Sequence, residues 1–474
     1  MRNKVIALAV VAVFAVGAAG LAAQNPEDAK FTKYLDSFWD AYFKFFPTEG
    51  TIQGFMKYNE RLEDFRMGTI EKFLDSLDQS NQELVTKLDK TKLSPDLQIE
   101  FDIFRDFLDQ EIMRLENSLF RIDNPLFYNE VFLNGLKSLF QKTALSQDAR
   151  IKSAVERAKD VPGLVKNAKD NLKTPPREYT EAAIRQIGPI IDFYRTEIPQ
   201  LAGSAPALQA ELNKAVTALA DYQRFLQTEL LPRSTGNFRL GEFHLRILRM
   251  QSAGSLPIIE EIAPRANADY KNIRNAMGQI CLSYFSVMFP TIDPDQLATQ
   301  KGVDAALQFV MQSVFDKLKE NHPSQDEYLK TIRDKAAHIK SFISQNGLVD
   351  LPGEDLTIEP MPPCLGGFSA FRLEGSGALE SAGPFTLYVR PIPDGLDADK
   401  LNSLLEEYTD YSLNYLVLQK VYPGSFVPSS GVMRNATPVQ KMHPNQALVQ
   451  GWPLYLGEMV IYSGFNNYNL RERL

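Results

Sequence analysis

Apolar residues recur along most of this chain with the period of an α-helix. From Phe31 the series Phe31, Tyr34, Leu35, Phe38, Trp39, Tyr42 and Phe43 covers one helix face, which Pro47 is expected to end. Ser94-Pro95 reads as the N-cap and first-turn proline of a further helix, with Leu97, Phe101, Phe104, Leu108, Ile112 and Leu115 as its stripe. Asp96, Glu100, Asp102, Asp106 and Asp109 fall off that stripe and read as a solvated face. Helical periods continue through 150–172, 179–201, 205–230, 255–289 and 304–345, punctuated by Pro175-Pro176, Pro189, Pro232, Pro257 and Pro323.

The segment 360–393 breaks the period. It is rich in proline and glycine, and the runs Phe368–Leu373 and Phe385–Val389 read as a β-hairpin joined by 374–383. The helical period returns from 398 to 420 through Leu401, Leu404, Leu405, Tyr408, Leu413 and Leu416. The expected fold is mainly α: one large multi-helix domain over 24–474 with a small β-hairpin insert.

The first residues set the expected compartment. Arg2 and Lys4 precede an uncharged apolar run, Val5 to Ala19, and small residues then lead into the polar Gln24-Asn25-Pro26. That is the layout of a secretory signal peptide over 1–23, and the apolar run is shorter than the ~20 residues of a bilayer span. The mature chain is thus expected to be exported, periplasmic or extracellular, without a stable membrane span. No cysteine lies near the cleavage point, which argues against acylation there. Removing Arg2 and Lys4 takes the formal charge from −8 to −10, a balance that argues against nucleic acid as a partner. The cysteines, Cys281 and Cys364, stand far apart without a CxxC pair and are expected to be unpaired thiols.

Chemistry is hard to find locally. There is no HExxH, no GxSxG and no phosphate-binding glycine loop. His322 and His443 each precede proline and read as exposed turns, and His338 reads as a surface residue. His244, two residues from Glu242, is the histidine with an interior setting, and the pair could supply at most two metal ligands. A zinc hydrolase needs three protein ligands and a carboxylate base.

The residues that carry a resemblance lie in order along the chain. They are Tyr34-Leu35-Asp36, Phe45-Phe46-Pro47-Thr48, Pro175-Pro176-Arg177-Glu178-Tyr179, Leu240-Gly241-Glu242, and above all Tyr422-Pro423-Gly424 and Gly451-Trp452. In these the chain resembles the bacterial exported domain-of-unknown-function 885 family, related to helical zinc metallopeptidases. The family's segment reads approximately H-E-A-Y-P-G-H-H, followed downstream by E-G-W-A-L-Y-A-E. Alignment on Tyr422-Pro423-Gly424 puts Gln419 at the first histidine, Lys420 at the glutamate, and Ser425 and Phe426 at the later histidines. Gln450 replaces the leading glutamate of the second motif and Gly457 the closing one, with Glu458 one position late.

The resemblance therefore implies a peptidase-like frame without catalytic residues, zinc ligands or expected cofactor. A neutral amide is a poor zinc ligand, and a lysine repels the cation. Tyr408, Tyr415, Tyr422, Trp452 and Tyr455 are candidates to line the remaining cleft, beside an ordinary packing role. The implied function is an inactive exported protein that binds a peptide or envelope component. An active hydrolase drawing on His244 and Glu242 is the alternative, and a truncated product is another, since the family continues beyond the second motif. Residues 466–474 read as the start of a helix.

Overall fold

The computed structural model describes residues 25–117, 121–142, 144–239, 241, 242, 245, 259–366 and 369–474, and these carry the expected mainly α architecture with a small sheet. The leader expected at 1–23 and His244 lie outside the described residues.

Helix α1 (Pro26–Phe45) starts where the Asn25 side chain accepts the Glu27 N–H. Every member of its expected stripe is buried except Tyr34, whose hydroxyl donates to the Ser80 carbonyl at 2.6 Å. Pro47 does more than end α1: it occupies the first turn of α2 (Pro47–Gln53), where a missing N–H costs nothing. Then come α3 (Met67–Lys87) and α4 (Pro95–Glu116). Aromatic rings lock α1 to α4: Phe38 meets Phe104 edge-on at 4.9 Å, and Trp39 lies 5.3 Å from Phe107. Such pairs contribute about 0.5–1.5 kcal/mol each beyond their buried area.

The acid row of α4 corrects the expectation of a solvated face in two places. Glu100 is buried, and Asp106 accepts a hydrogen bond from His443 at 2.8 Å. His443 is accordingly no exposed turn; its ring sits over Phe107, and proline after it simply ends a short helix.

The second layer holds α5 (Pro125–Gln141), α6 (Gln147–Asn171), α7 (Arg177–Asp192), α8 (Ile198–Ala202), α9 (Pro206–Phe225) and α10 (Leu231–Arg233). Alanines at 154, 158 and 168 let α6 pack closely on α9. Pro189 lies inside α7 and does not end it. Wide π turns at Phe193–Glu197 and Leu226–Leu230 precede Pro199 and Pro232. A proline ring clashes with the carbonyl four residues back, and widening the turn relieves that clash while the chain stays helical.

Next are α11 (Ile259–Met288), α12 (Pro294–Lys301), α13 (Val303–Lys319) and α14 (Tyr328–Asn346), so the 304–345 run divides around Pro323. After the sheet come α15 (Ala398–Leu405), α16 (Asp410–Lys420), α17 (Phe426–Asn435), α18 (Pro438–Met442) and α19 (Gln446–Tyr462). The 398–420 run breaks at Thr409, whose side chain caps α16 by accepting the Ser412 N–H at 3.1 Å. The end of the chain is not the start of a helix: it makes 3₁₀ turns at Phe465–Tyr468 and Leu470–Arg473, with Asn466, Asn467 and Tyr468 left-handed.

The hairpin expectation is half the sheet. Strands β2 (Phe371–Glu374) and β3 (Phe385–Val389) pair antiparallel as expected, and β1 (Leu356–Pro360) adds a parallel edge to β3. Thus β3 is central, with Phe385, Leu387 and Val389 buried and the sheet starting before residue 360. Two largely buried ion pairs, Lys137–Glu374 at 2.7 Å and Lys142–Glu380 at 2.6 Å, tie this insert to α5 and the residue following it. The 375–383 loop docks on the end of α2, where Leu379 N–H donates to the Gln53 carbonyl at 2.9 Å. Buried apolar residues form three clusters: one through α1–α9, one around the sheet with α14–α17 and α19, and a smaller one between α11 and α13. No helix among the described residues is long and apolar enough to cross a membrane.

Candidate functional site

Helix α16 is placed by its two faces. Leu413, Val417 and Leu418 point into the sheet cluster, while Tyr411, Ser412 and Tyr415 line a cavity of about 840 Å³ between α11, α13, α16 and α19. Leu454, Tyr455, Glu458 and Tyr462 close it from the α19 side. Helix α19 packs on α16 at Gly457, where even an added Cβ would make only an ordinary contact with the Tyr415 ring at 3.5 Å.

At the end of α16 the chain turns sharply through a cis Tyr422-Pro423 bond into α17. The Ser425 N–H and hydroxyl both donate to the Gln419 carbonyl, at 2.9 and 3.2 Å. Gly424 is compulsory, because any Cβ there would collide with the carbonyl oxygens of Gln419 and Leu418. The frame of the turn is thus fixed by backbone geometry, whatever its side chains do.

Those side chains are occupied with packing. Phe426 is 0% exposed, edge-on to Phe385 at 5.2 Å and to Tyr422 at 5.4 Å. Lys340 lies over the Tyr422 ring at 5.6 Å, and burial with Asp355 nearby raises the Tyr422 hydroxyl above its ordinary value. Lys420 is half-buried with no carboxylate of the described residues in ion-pair distance. Gln450 is exposed in the first half of α19. The positions to which the resemblance assigns zinc ligands therefore do not fit the ion. They offer two amides, a hydroxyl held by a carbonyl, and a ring sealed in the core. Among the described residues no group of three or more His, Cys, Asp or Glu is placed to hold a metal.

The cleft candidates divide. Tyr415 and Tyr455 do line the cavity. Tyr408 does not: it precedes the α16 cap and packs on Tyr328 at 4.9 Å. Tyr422 is buried in the turn, and Trp452 is half-buried, 6.5 Å from Tyr455, with its indole N–H unpartnered. Glu242 is exposed. Cys281 and Cys364 are free and lie in different apolar clusters, and burial pushes each thiol up to about 11.

A polar cavity of about 250 Å³ among the first helices was not foreseen; it is lined by Tyr42, Glu49, Glu63, Glu111, Arg121 and Glu130, among others. The signal was a carboxylate on an apolar stripe, since Glu111 follows Phe107 and Leu108 by one helical turn. Burial pushes Glu111 up, but Arg121 at 2.8 Å and Arg114 at 3.0 Å outweigh it and hold it below the usual carboxylate range. Glu49 goes the other way, because burial exceeds the help of the Gln53 amide at 2.7 Å. A carboxyl raised in the folded state contributes stability that is complete below its unfolded value and lost as pH rises through the folded one. Glu49→Gln is therefore expected to raise the urea midpoint at pH 7 and to leave it unchanged near pH 4, about the ordinary carboxylate range. A lower midpoint at pH 7 would show that the Glu49 charge is compensated.

Residues 47–474 match the family described as bacterial protein of unknown function (DUF885). The chain belongs to that family. No curated protein matches the sequence. Two solved structures share the fold of this DUF885 chain. One is a candidate lipoprotein of unknown function from Shewanella oneidensis, with a TM-score of 0.71 and 19% identity, covering 94% of this chain and 79% of that one. The other is a candidate lipoprotein from Colwellia psychrerythraea, with a TM-score of 0.66 and 11% identity, covering 94% and 81%. At such identity the likeness speaks to the fold alone.

Proposed function

We propose that this DUF885 protein is an exported, peptidase-like binding protein that holds a peptide or cell-envelope component without cleaving it. The observation that supports this reading most is the turn after α16. Its backbone frame is kept by an obligatory glycine, while Phe426, at a position aligned with a family histidine, is spent on the core. An aromatic cavity of about 840 Å³ lies alongside, within the range of small-ligand sites. Export rests on the leader pattern at 1–23 and accords with the candidate-lipoprotein description of the two structural neighbours.

The expected behaviour is saturable binding of unstructured peptides, unchanged by chelator and without cleavage. Tyr455 is 62% exposed on the cavity wall, so Tyr455→Ala should weaken binding several-fold while leaving the fold intact. Fluorescence anisotropy with mass spectrometry of the recovered peptide reads both results. Chelator-sensitive cleavage would overturn the inactive reading and return attention to His244 and Glu242.

A further inference from the structure

We infer that the cavity takes the C-terminal end of a peptide, with its free carboxylate held between Arg471 and Arg473. This rests on the binding role proposed above and names the chemistry that the same cleft would recognise.

The two arginines, two residues apart in the last turn of the chain, both line the cavity and are held in place without being neutralised. The Arg471 guanidinium lies 4.8 Å over the Tyr284 ring and donates to the Tyr411 hydroxyl at 3.3 Å. Its Nε is buried and has no hydrogen-bond partner. Arg473 lies 4.6 Å over the Tyr462 ring and donates to the Tyr462 hydroxyl at 2.9 Å. No carboxylate of the described residues lies within ion-pair distance of either one, whereas Arg114 and Arg121 share Glu111 and Arg177 and Arg224 each have an acid beside them. Nearby charges do not fill the role. Glu472 accepts instead from Asn414 at 3.0 Å and Asn466 at 2.7 Å, and Lys319 is taken by Asp316 at 3.3 Å.

A guanidinium is a planar fork matched to a carboxylate, and stacking on a ring fixes the fork before the ligand arrives. Two such forks in the lining of a cleft walled by Tyr415, Tyr455 and Leu454 call for an anionic terminus on a largely apolar body. The hydroxyls of Tyr415 and Tyr455 lie along the wall and suit backbone amides, which a hydrocarbon tail could not match. That selects a peptide over a fatty acid.

The test compares an N-terminally labelled pool of apolar hexapeptides carrying a free C-terminal carboxylate with the same pool amidated, by anisotropy on the full chain. The acid form is expected to bind about tenfold tighter or more, the effect of one charge-assisted contact. Arg473→Gln, at an exposed position, and Arg471→Lys should shrink that preference while the amidated pool binds as before. Equal binding of acid and amide pools would overturn the inference and leave the peptide-binding role standing. Binding of neither pool would overturn both. Arginine-dependent binding of dodecanoate with no peptide binding would place a fatty acid in the cleft and overturn the peptide assignment.

Discussion

Replacing Arg157 with leucine is expected to cost about 3–5 kcal/mol of folding stability, the range seen when one member of a buried charged set is removed. Arg157 is 0% exposed on α6. One guanidinium nitrogen donates to the Gly135 carbonyl at 2.6 Å, and the other donates to the Pro47 carbonyl at 3.1 Å and the Thr51 hydroxyl at 2.5 Å. One side chain therefore joins α2, α5 and α6. Burial drags its pKa down to about 10, so the charge itself is costly, and the hydrogen bonds explain why arginine rather than an apolar residue stands there.

Leucine would remove the guanidinium's hydrogen bonds from three buried oxygens and strip Glu63 of its nearby cation; burial already raises the Glu63 carboxyl, and Arg157 is first among the groups that lower it. Arg157→Lys should rescue little, because one ammonium cannot serve both carbonyls. Adding Glu63→Gln to Arg157→Leu should recover part of the loss, a non-additivity that a double-mutant cycle in urea would read. A single-mutant loss below about 1 kcal/mol would mean that water replaces the guanidinium.

Gly424→Ala should be the most damaging glycine substitution near the cleft, at about 3 kcal/mol or more. Its Cβ would meet carbonyls of the preceding helix, and backbone cannot swing aside as a side chain can. Moving it breaks the Ser425 N–H bond to Gln419 that closes the turn. Gly431 supplies the control in the next helix. A Cβ there meets nothing within 4 Å, so Gly431→Ala should be neutral or stabilise by about 0.5–1 kcal/mol through helix propensity. Equal effects of the two substitutions in thermal or urea unfolding would show that the turn is not fixed by sterics.

Much of the fold was legible because the helices are strongly one-sided. The α1 and α4 stripes announce themselves through closely spaced aromatic residues, and nearly all of those are buried where the period places them. Strand β1 escaped notice because Leu356-Thr-Ile-Glu-Pro is five residues long, carries an acid, ends in proline and sits at a sheet edge. Tyr408 was misplaced because periodicity alone does not see Thr409 capping a new helix and changing the phase. Tyr415 and Tyr455 were legible as wall residues since each lies well inside a helix.

The two arginines in the cavity lining were not legible. Their meaning depends on which carboxylates are absent around them, and that is settled by distant segments coming together. The turn stood out for a local reason, since Tyr-Pro-Gly after an amphipathic run is readable as a tight reversal, while the use of Phe426 in the core required its partner Phe385 on β3.

Elemental analysis of the purified protein after exposure to zinc and desalting tests most directly whether the turn has lost its metal chemistry. The donor set at Gln419, Lys420, Ser425, Phe426 and Gln450 predicts less than about a tenth of an equivalent of retained zinc. Retention close to one equivalent, abolished by His244→Ala, would contradict it and make this DUF885 protein a metal enzyme whose ligands come from elsewhere in the chain.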